Sequence, residues 1–332
     1  MPVLYLNEHG TLVRKESERL VLERNRKKIG EIPLFKIHQV VVQGRVQFTS
    51  AALQELLQRG IEVSFLNGRG DFIGRLQGAE GKNNLLRLAQ YQVMQDGQKC
   101  CYLASRFIWG KLRNMAALLQ RGQREGAVVP VRDVERLHRL AEEVLQTKDL
   151  ERLRGLEGMG AALYFANFGQ LIKAEFTSFP GRVKHPPRDP VNSMLSYLYT
   201  VLAGDATSLL QTAGLDPYLG FLHQERYGRL SLSYDMIEEF RPLMVDPVVL
   251  SAINKRMVKS GDFEQTNEGA VLIKPAAKKV LVGLYEKKKQ SLLVHPMLGH
   301  RITYQQVMEI QVRLLAKYLR GEGDYLPFVR VK

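Results

Sequence analysis

Gln77-Gly-Ala-Glu-Gly-Lys-Asn83 divides the chain into two kinds of text: it holds two glycines, carries no apolar periodicity and reads as a linker. Upstream, short β-branched or alternating segments at 3–6, 11–15, 20–23, 37–42, 61–66 and 71–76 predict strands. His9-Gly10 is expected to turn the first strand into the second, and Asn67-Gly68 with Gly70 to join the last two, so at least two hairpins are predicted. The stretch 50–59 is the exception. There Ala51, Leu53, Leu56 and Leu57 fall near helical spacing, Thr49 or Ser50 can cap the start and Gly60 can end it. Downstream of the linker, long windows rich in Leu, Ala, Glu, Arg and Gln predict helices almost to the end. Over 189–202, Asp189 caps, Pro190 suits the first helical position, and Val191, Met194, Leu195, Leu198, Val201 and Leu202 line one buried face. The fold reading is therefore α+β: a small N-terminal β-rich domain over 1–76, a linker over 77–83, and a larger all-α domain over 84–332. Residues 321–332 mix Gly, Pro and charge and are expected to form a loosely held tail.

The whole chain of 332 residues, 45% hydrophobic, can fill one large or two ordinary cores. Lys and Arg total 48 against 34 Asp and Glu, a formal net charge of +14 that favours a polyanionic partner, nucleic acid first. Cys100 and Cys101 are the only cysteines and are adjacent, so no disulfide framework is implied and a reducing compartment fits. With no signal peptide and no apolar run of about 18 residues, a soluble cytoplasmic protein with no membrane partner is expected. Walker loops, dinucleotide-binding glycine patterns and serine nucleophile elbows are absent from the sequence.

Three stretches carry chemistry. From 223 to 242 the chain places His223, Asp235, Glu238 and Glu239 close to Arg226, Arg229 and Arg241. Carboxylates with an imidazole can hold a divalent cation, while arginines offer charge-assisted hydrogen bonds to phosphate or to the acids themselves. A helix over 231–240 would put Asp235 on one face with Glu238 or Glu239, where like charges repel and prefer a cation between them. The alternative is a solvated acidic face balanced by Arg241. Next, Arg154-Gly-Leu-Glu-Gly-Met-Gly160 sets three glycines around Glu157 inside a helical pattern over 149–168, each costing about 1 kcal/mol relative to Ala. Either tight helix packing or the close approach of a ligand explains them. Last, the proline-stiffened basic loop 179–190 presents Arg182, Lys184, His185 and Arg188 as phosphate contacts, or as plain surface. Lys278, Lys279 and 287–289 read as a solvated basic face, and His9, His38, His138, His295 and His300 lack acidic partners at metal spacing.

Taken together, Glu157 in Leu-Glu-Gly and the runs 186–199, 214–223 and 235–242 resemble the CRISPR-associated integrase of the adaptation module. Ile32-Pro-Leu34 and the 44–50 stretch fit as well, so the resemblance covers nearly the whole chain. It implies a β-rich N-terminal domain serving dimerisation and a helical catalytic domain. It also implies a homodimer, two of which flank a small CRISPR-associated partner protein to insert short DNA segments into an array. By position, the implied ligands for Mg²⁺ or Mn²⁺ are Glu157, His223 and Glu238, with Asp235 the nearby alternative acid. Many members carry aspartate where this chain has Glu238, and Glu239 follows at once. The same residues would serve strand transfer, with a DNA 3′-hydroxyl as nucleophile, and nicking, with water. Arg182, Lys184, Arg188, Arg226 and Arg229 would place double-stranded or branched DNA, and Arg241 would support the ligands. The competing reading is a non-catalytic basic DNA-binding scaffold.

Overall fold

The computed structural model describes residues 3–37, 39–68, 72–76, 78, 83–174, 176–184, 186–223 and 227–330. The chain has an α+β fold and divides into two compact units, Met1–Lys82 and Asn83–Lys332. Of the 77–83 stretch, 77 and 79–82 lie outside the described residues.

Among its described residues the first unit holds eight strands and one α-helix: β1 (Val3–Leu6), β2 (Thr11–Glu16), β3 (Arg19–Arg24), β4 (Lys27–Pro33), β5 (Gln39–Val42), β6 (Val46–Phe48), α1 (Ser50–Gln58), β7 (Glu62–Leu66) and β8 (Phe72–Leu76). They form two four-stranded sheets ordered β1-β5-β7-β8 and β4-β3-β2-β6. Leu6, Val13, Leu20, Leu34, Val40, Leu56 and Val63 make the core. The hairpin expected around Asn67-Gly68 is present, with β7 antiparallel to β8. The one expected at His9-Gly10 is not. Gly10, at φ +79°, turns the chain out of one sheet into the other, and its N–H bonds Arg45 O, so β1 pairs parallel with β5 instead of with β2. Strand β4 escaped the sequence reading because Lys, Gly and Glu dominate it. Asn25 and Arg26 form its tight turn with positive φ at both positions, and only the Asn signals that conformation.

In the second unit, α2 (Asn84–Gln95), α3 (Gly97–Arg124), α4 (Val131–Gln146), α5 (Leu150–Phe168), α6 (Pro190–Thr212), α7 (Ser231–Ile237), α8 (Asp246–Asn254), α9 (Pro275–Lys289) and α10 (Tyr304–Leu319) share one apolar core. The long α3 packs against α4 and α5. Asp189 caps α6 by accepting the N–H of Asn192 at 2.8 Å, and Val191, Met194, Leu195, Leu198 and Leu202 are buried as their spacing predicts.

This unit is not all-α. Two short hairpins, β9 (Phe263–Gln265) with β10 (Val271–Ile273) and β11 (Leu292–Val294) with β12 (Arg301–Thr303), are three residues per strand, too short for alternation to declare itself. The expected helix over 231–240 ends at Ile237; a turn follows, then a π-helical segment, Arg241–Val245, that runs into α8. Such a widened turn is a common device at functional sites. The tail is not loose up to residue 330. Tyr325 and Phe328 are buried, and Asn114 on α3 binds both Phe328 O and the N–H of Arg330. Nor is the 287–289 run simply solvated: Lys289 is buried on Asp205 and Glu286, and Lys288 sits 3.9 Å over the Tyr304 ring.

Candidate functional site

Asp235 is the organising residue of the loop that carries His223. Fully buried on α7, it accepts the N–H groups of Phe221 (2.6 Å) and Leu222 (2.9 Å) on Oδ2, and that of His223 (3.1 Å) on Oδ1. The His223 ring adds Nδ1 at 2.5 Å from the same Oδ1. With Nδ1 turned to the carboxylate, Nε2 points away from Asp235, the arrangement by which a carboxylate orients a metal-binding imidazole. The loop must come close for this. A Cβ on Gly220 would lie 2.8 Å from both Asp235 Oδ2 and Ser231 Cβ, so glycine is required there.

Other elements pin the same loop. Gln90 on α2 donates to Asp216 O (2.8 Å) and Leu219 O (3.0 Å), and Cys100 on α3 donates to Phe221 O at 3.1 Å. Arg154 on α5 forks onto Leu222 O through Nε (3.0 Å) and Nη2 (2.9 Å). Since Glu157 lies one turn further along α5, Arg154 ties the Glu157 helix to the His223 loop. The glycines around Glu157 divide in meaning. A Cβ on Gly160 would run into Leu112, so that glycine serves helix packing, whereas Gly155 and Gly158 have no neighbour within 4 Å and leave open surface beside Glu157.

Glu157 and Glu238 converge on a lysine, and His223 reaches them only at the other oxygen of Glu238. Lys111 of α3, its side chain only 7% exposed, donates Nζ to Glu157 Oε1 and pairs with Glu238 Oε2 at 2.6 Å. His223 Nε2 stands 3.9 Å from Glu238 Oε1, and Arg241 Nη2 stands 3.2 Å from that oxygen. Burial alone would raise the Glu238 carboxyl; Arg241, Lys111 and His223 outweigh it and hold the group well below the usual carboxylate range. For Lys111 the balance also favours charge, because Glu157 and Glu238 overcome its burial. The signal for Lys111 in the sequence was a single lysine on the apolar face of a long helix.

Behind the acids, Arg241 lies 4.4 Å over the Tyr199 ring, and the hydroxyls of Tyr199 and Tyr164 each donate to Asp246 at 2.6 Å. Arg241 is thus committed to the protein. Arg182 is too: it binds Asn192 Oδ1 (2.8 Å) and Ser196 Oγ (3.0 Å), and its burial lowers its pKa. Lys184 is exposed as a residue, yet its ammonium is pushed down by enclosure, with Glu238 pulling it up and Lys111 and Arg241 pushing it down. Arg188 is exposed, and Arg229 lies 5.8 Å over the Tyr234 ring. Arg226 and His185 lie outside the described residues.

Glu239, next to Glu238, is turned the other way. Its carboxylate accepts from Tyr325 Oη (2.6 Å), the N–H of Phe328 (2.6 Å) and Gln311 Nε2 (3.2 Å). Burial pushes it up to about 7. The resemblance gave Glu238 as the ligand with Asp235 as the alternative acid and Glu239 next to it; of the three, only Glu238 both shares Lys111 with Glu157 and approaches His223 Nε2.

Two carboxylates and one imidazole suit a hard divalent ion such as Mg²⁺ or Mn²⁺. Glu238 Oε2 is buried and accepts no aligned hydrogen bond, despite the nearby ammonium. The donor chemistry therefore fits a cation. The spacing is that of donors gathered around an ammonium: among the described residues, no three His, Cys, Asp or Glu side chains stand together at metal-ligand spacing.

The family model for CRISPR associated protein Cas1 matches residues 4–287. The chain belongs to the Cas1 family. CRISPR-associated endonuclease Cas1 3 of Thermus thermophilus is 37% identical over 329 residues, covering 98% of this chain and 96% of its own length. CRISPR-associated endonuclease Cas1 2 of Rhodospirillum rubrum is 37% identical over 336 residues, with the same coverage of 98% and 96%. Among solved structures, a casposase bound to integration product superposes with a TM-score of 0.86 at 25% identity, over 99% of this chain and 94% of that one. Among the described residues of this Cas1-family chain, no helix is long and apolar enough to cross a membrane.

Proposed function

We propose that this chain is a divalent-metal-dependent DNA nuclease and integrase that inserts short DNA segments into a CRISPR array by phosphodiester strand transfer. The observation that carries the reading is the convergence of Glu157, His223 and Glu238 from three separate segments, with Asp235 holding the His223 ring through Nδ1. Mg²⁺ or Mn²⁺, when bound, supplies a Lewis acid that polarises the scissile phosphate and stabilises the charge of in-line displacement. The residues then have separate tasks. Glu157, His223 and Glu238 would hold the ion, Asp235 would fix the imidazole, and Arg241 would balance Glu238. The open surface at Gly155 and Gly158 lets a DNA backbone reach Glu157. Arg188, Arg229 and Lys184 are the cations with reach toward phosphate, and Arg226 is retained as a fourth on sequence grounds. Membership of the Cas1 family and the likeness to a casposase bound to integration product support this substrate class. We further propose, on family membership, a cytoplasmic homodimer acting with the small CRISPR-associated partner protein.

Half-site integration of a short duplex into a leader-repeat DNA, with Mn²⁺ or Mg²⁺, tests the reading. Glu157→Ala and His223→Ala should each lower product at least about a hundredfold while leaving DNA binding and Tm near wild type. Undiminished strand transfer in both variants would overturn it. DNA binding without strand cleavage under any divalent ion would favour the scaffold reading, in which the Lys111 cluster is a structural ion-pair network.

A further inference from the structure

Lys111 stands between two of the three side chains that the metal reading gives to the ion. Its Nζ lies between Glu157 Oε1 and Glu238 Oε2, and those carboxylates are the only side chains it contacts as ion-pair partners among the described residues. The lysine is planted there by α3, between Gly110 and Leu112, and its side chain is nearly inaccessible to solvent. Charge bookkeeping makes joint occupancy unfavourable. Glu157 and Glu238 carry two negative charges, and Lys111 and Arg241 already match them, so a divalent ion entering beside an unmoved Lys111 would add its whole charge as excess against an ammonium a few ångströms away. Arg241 is held in place by its stacking on Tyr199 and pairs with Oε1 of Glu238, not with the Oε2 that Lys111 takes. Lys111 can yield: its flexible stem carries a point charge held, among the described residues, by the two carboxylates the ion would take.

We propose that Lys111 is a built-in counter-cation that neutralises Glu157 and Glu238 in the metal-free protein, and that metal binds by exchange, displacing its ammonium from between them. Lys111 is thus a positioning residue that keeps two buried acids compatible with the fold and sets the affinity at which the ion enters. The inference rests on the metal reading above and deepens it. It accounts for a donor set of suitable chemistry that is not arranged at metal-ligand spacing.

The test is Mn²⁺ binding to the full chain, followed by the electron paramagnetic resonance signal of free Mn²⁺, for wild type, Lys111→Met and His223→Ala. Exchange predicts a Kd about tenfold lower in Lys111→Met than in wild type, because the competing ammonium is gone. A Kd in Lys111→Met equal to or higher than wild type overturns the exchange. A second measurement needs no variant: acetylation of Lys111 in wild type by an amine-reactive ester, read by mass spectrometry, should rise severalfold at saturating Mn²⁺. Labelling that stays constant while Mn²⁺ is bound overturns it equally. Failure of the parent reading looks different. In that case Mn²⁺ uptake by wild type is indifferent to His223→Ala, and the exchange falls with it.

Discussion

Glu238 and Glu239 are neighbours in sequence, both almost wholly buried, and belong to different worlds. Glu238 faces Lys111, Arg241 and His223, and the charges of Arg241 and Lys111 foremost hold its carboxyl far down. Glu239 faces Tyr325, Gln311 and the Phe328 N–H, all neutral donors, and burial lifts it to about 7. One joins segments that carry chemistry; the other fastens the C-terminal tail across α3 and α10. Burial and residue type are the same in both, so neither marks function. What distinguishes them is whether the buried charge is met by opposite charge or by dipoles.

The largest expected effect separates the pair on activity. Glu238→Gln should lower Mn²⁺-dependent strand transfer at least about a hundredfold, because it removes one charge from the ion's donor set. Glu239→Gln should leave transfer within a few-fold of wild type at temperatures where the protein is folded. Comparable losses in both, at equal Tm, would erase the distinction drawn between them.

A smaller effect is expected at Asp235, which in the proposed site would act on the ion only through His223. Asp235→Asn keeps the shape but can present its amide N–H₂ to the ring, favouring the tautomer with the lone pair on the wrong nitrogen. Mn²⁺ affinity should fall about 10- to 100-fold, as when such outer partners of a metal ligand are lost. Titration of Mn²⁺ against free-ion signal checks this. Complete loss of binding would instead make Asp235 a ligand.

How much of this was legible beforehand depends on how far apart the partners lie. The α+β division, α1 and α6 follow from periodicity and caps within windows of ten to twenty residues. Glu157, His223 and Glu238 were reachable because each sits in a local anomaly: glycines inside a helix, or acids crowded with arginines. Lys111 had no such anomaly except its isolation among apolar neighbours, and its partners are 46 and 127 residues away (157 − 111 and 238 − 111). Residue type and spacing alone did not separate Glu239 from Glu238; Tyr325 and Phe328, from a tail that composition made look loose, close on Glu239 alone. Arg182 likewise read as a free basic side chain, and only Asn192 and Ser196 on α6 reveal that it is spent holding its own loop.

The subtlest effect is on stability against pH, and it tests Glu239 alone. Its folded-state value of about 7 lies above the unfolded 4.5, so the stability it contributes is fully present below about pH 4.5 and is lost as pH rises through 7. A shift of that size corresponds to about 3 kcal/mol at most. Asp246, raised by burial to about 6, acts with the same sign. Glu238 does not interfere, because a depressed carboxyl gives its stability above the unfolded value and loses it only at more acidic pH. Gln at 239 cannot ionise, so the wild-type advantage in Tm over Glu239→Gln should be greatest near pH 5 and shrink steadily toward pH 8. Comparing the two proteins cancels Asp246 and every other group common to both. A difference in Tm that is flat from pH 5 to 8 would mean that Tyr325, Gln311 and the Phe328 N–H suffice to keep Glu239 ionised throughout, and that dipoles can substitute for the cations that serve Glu238.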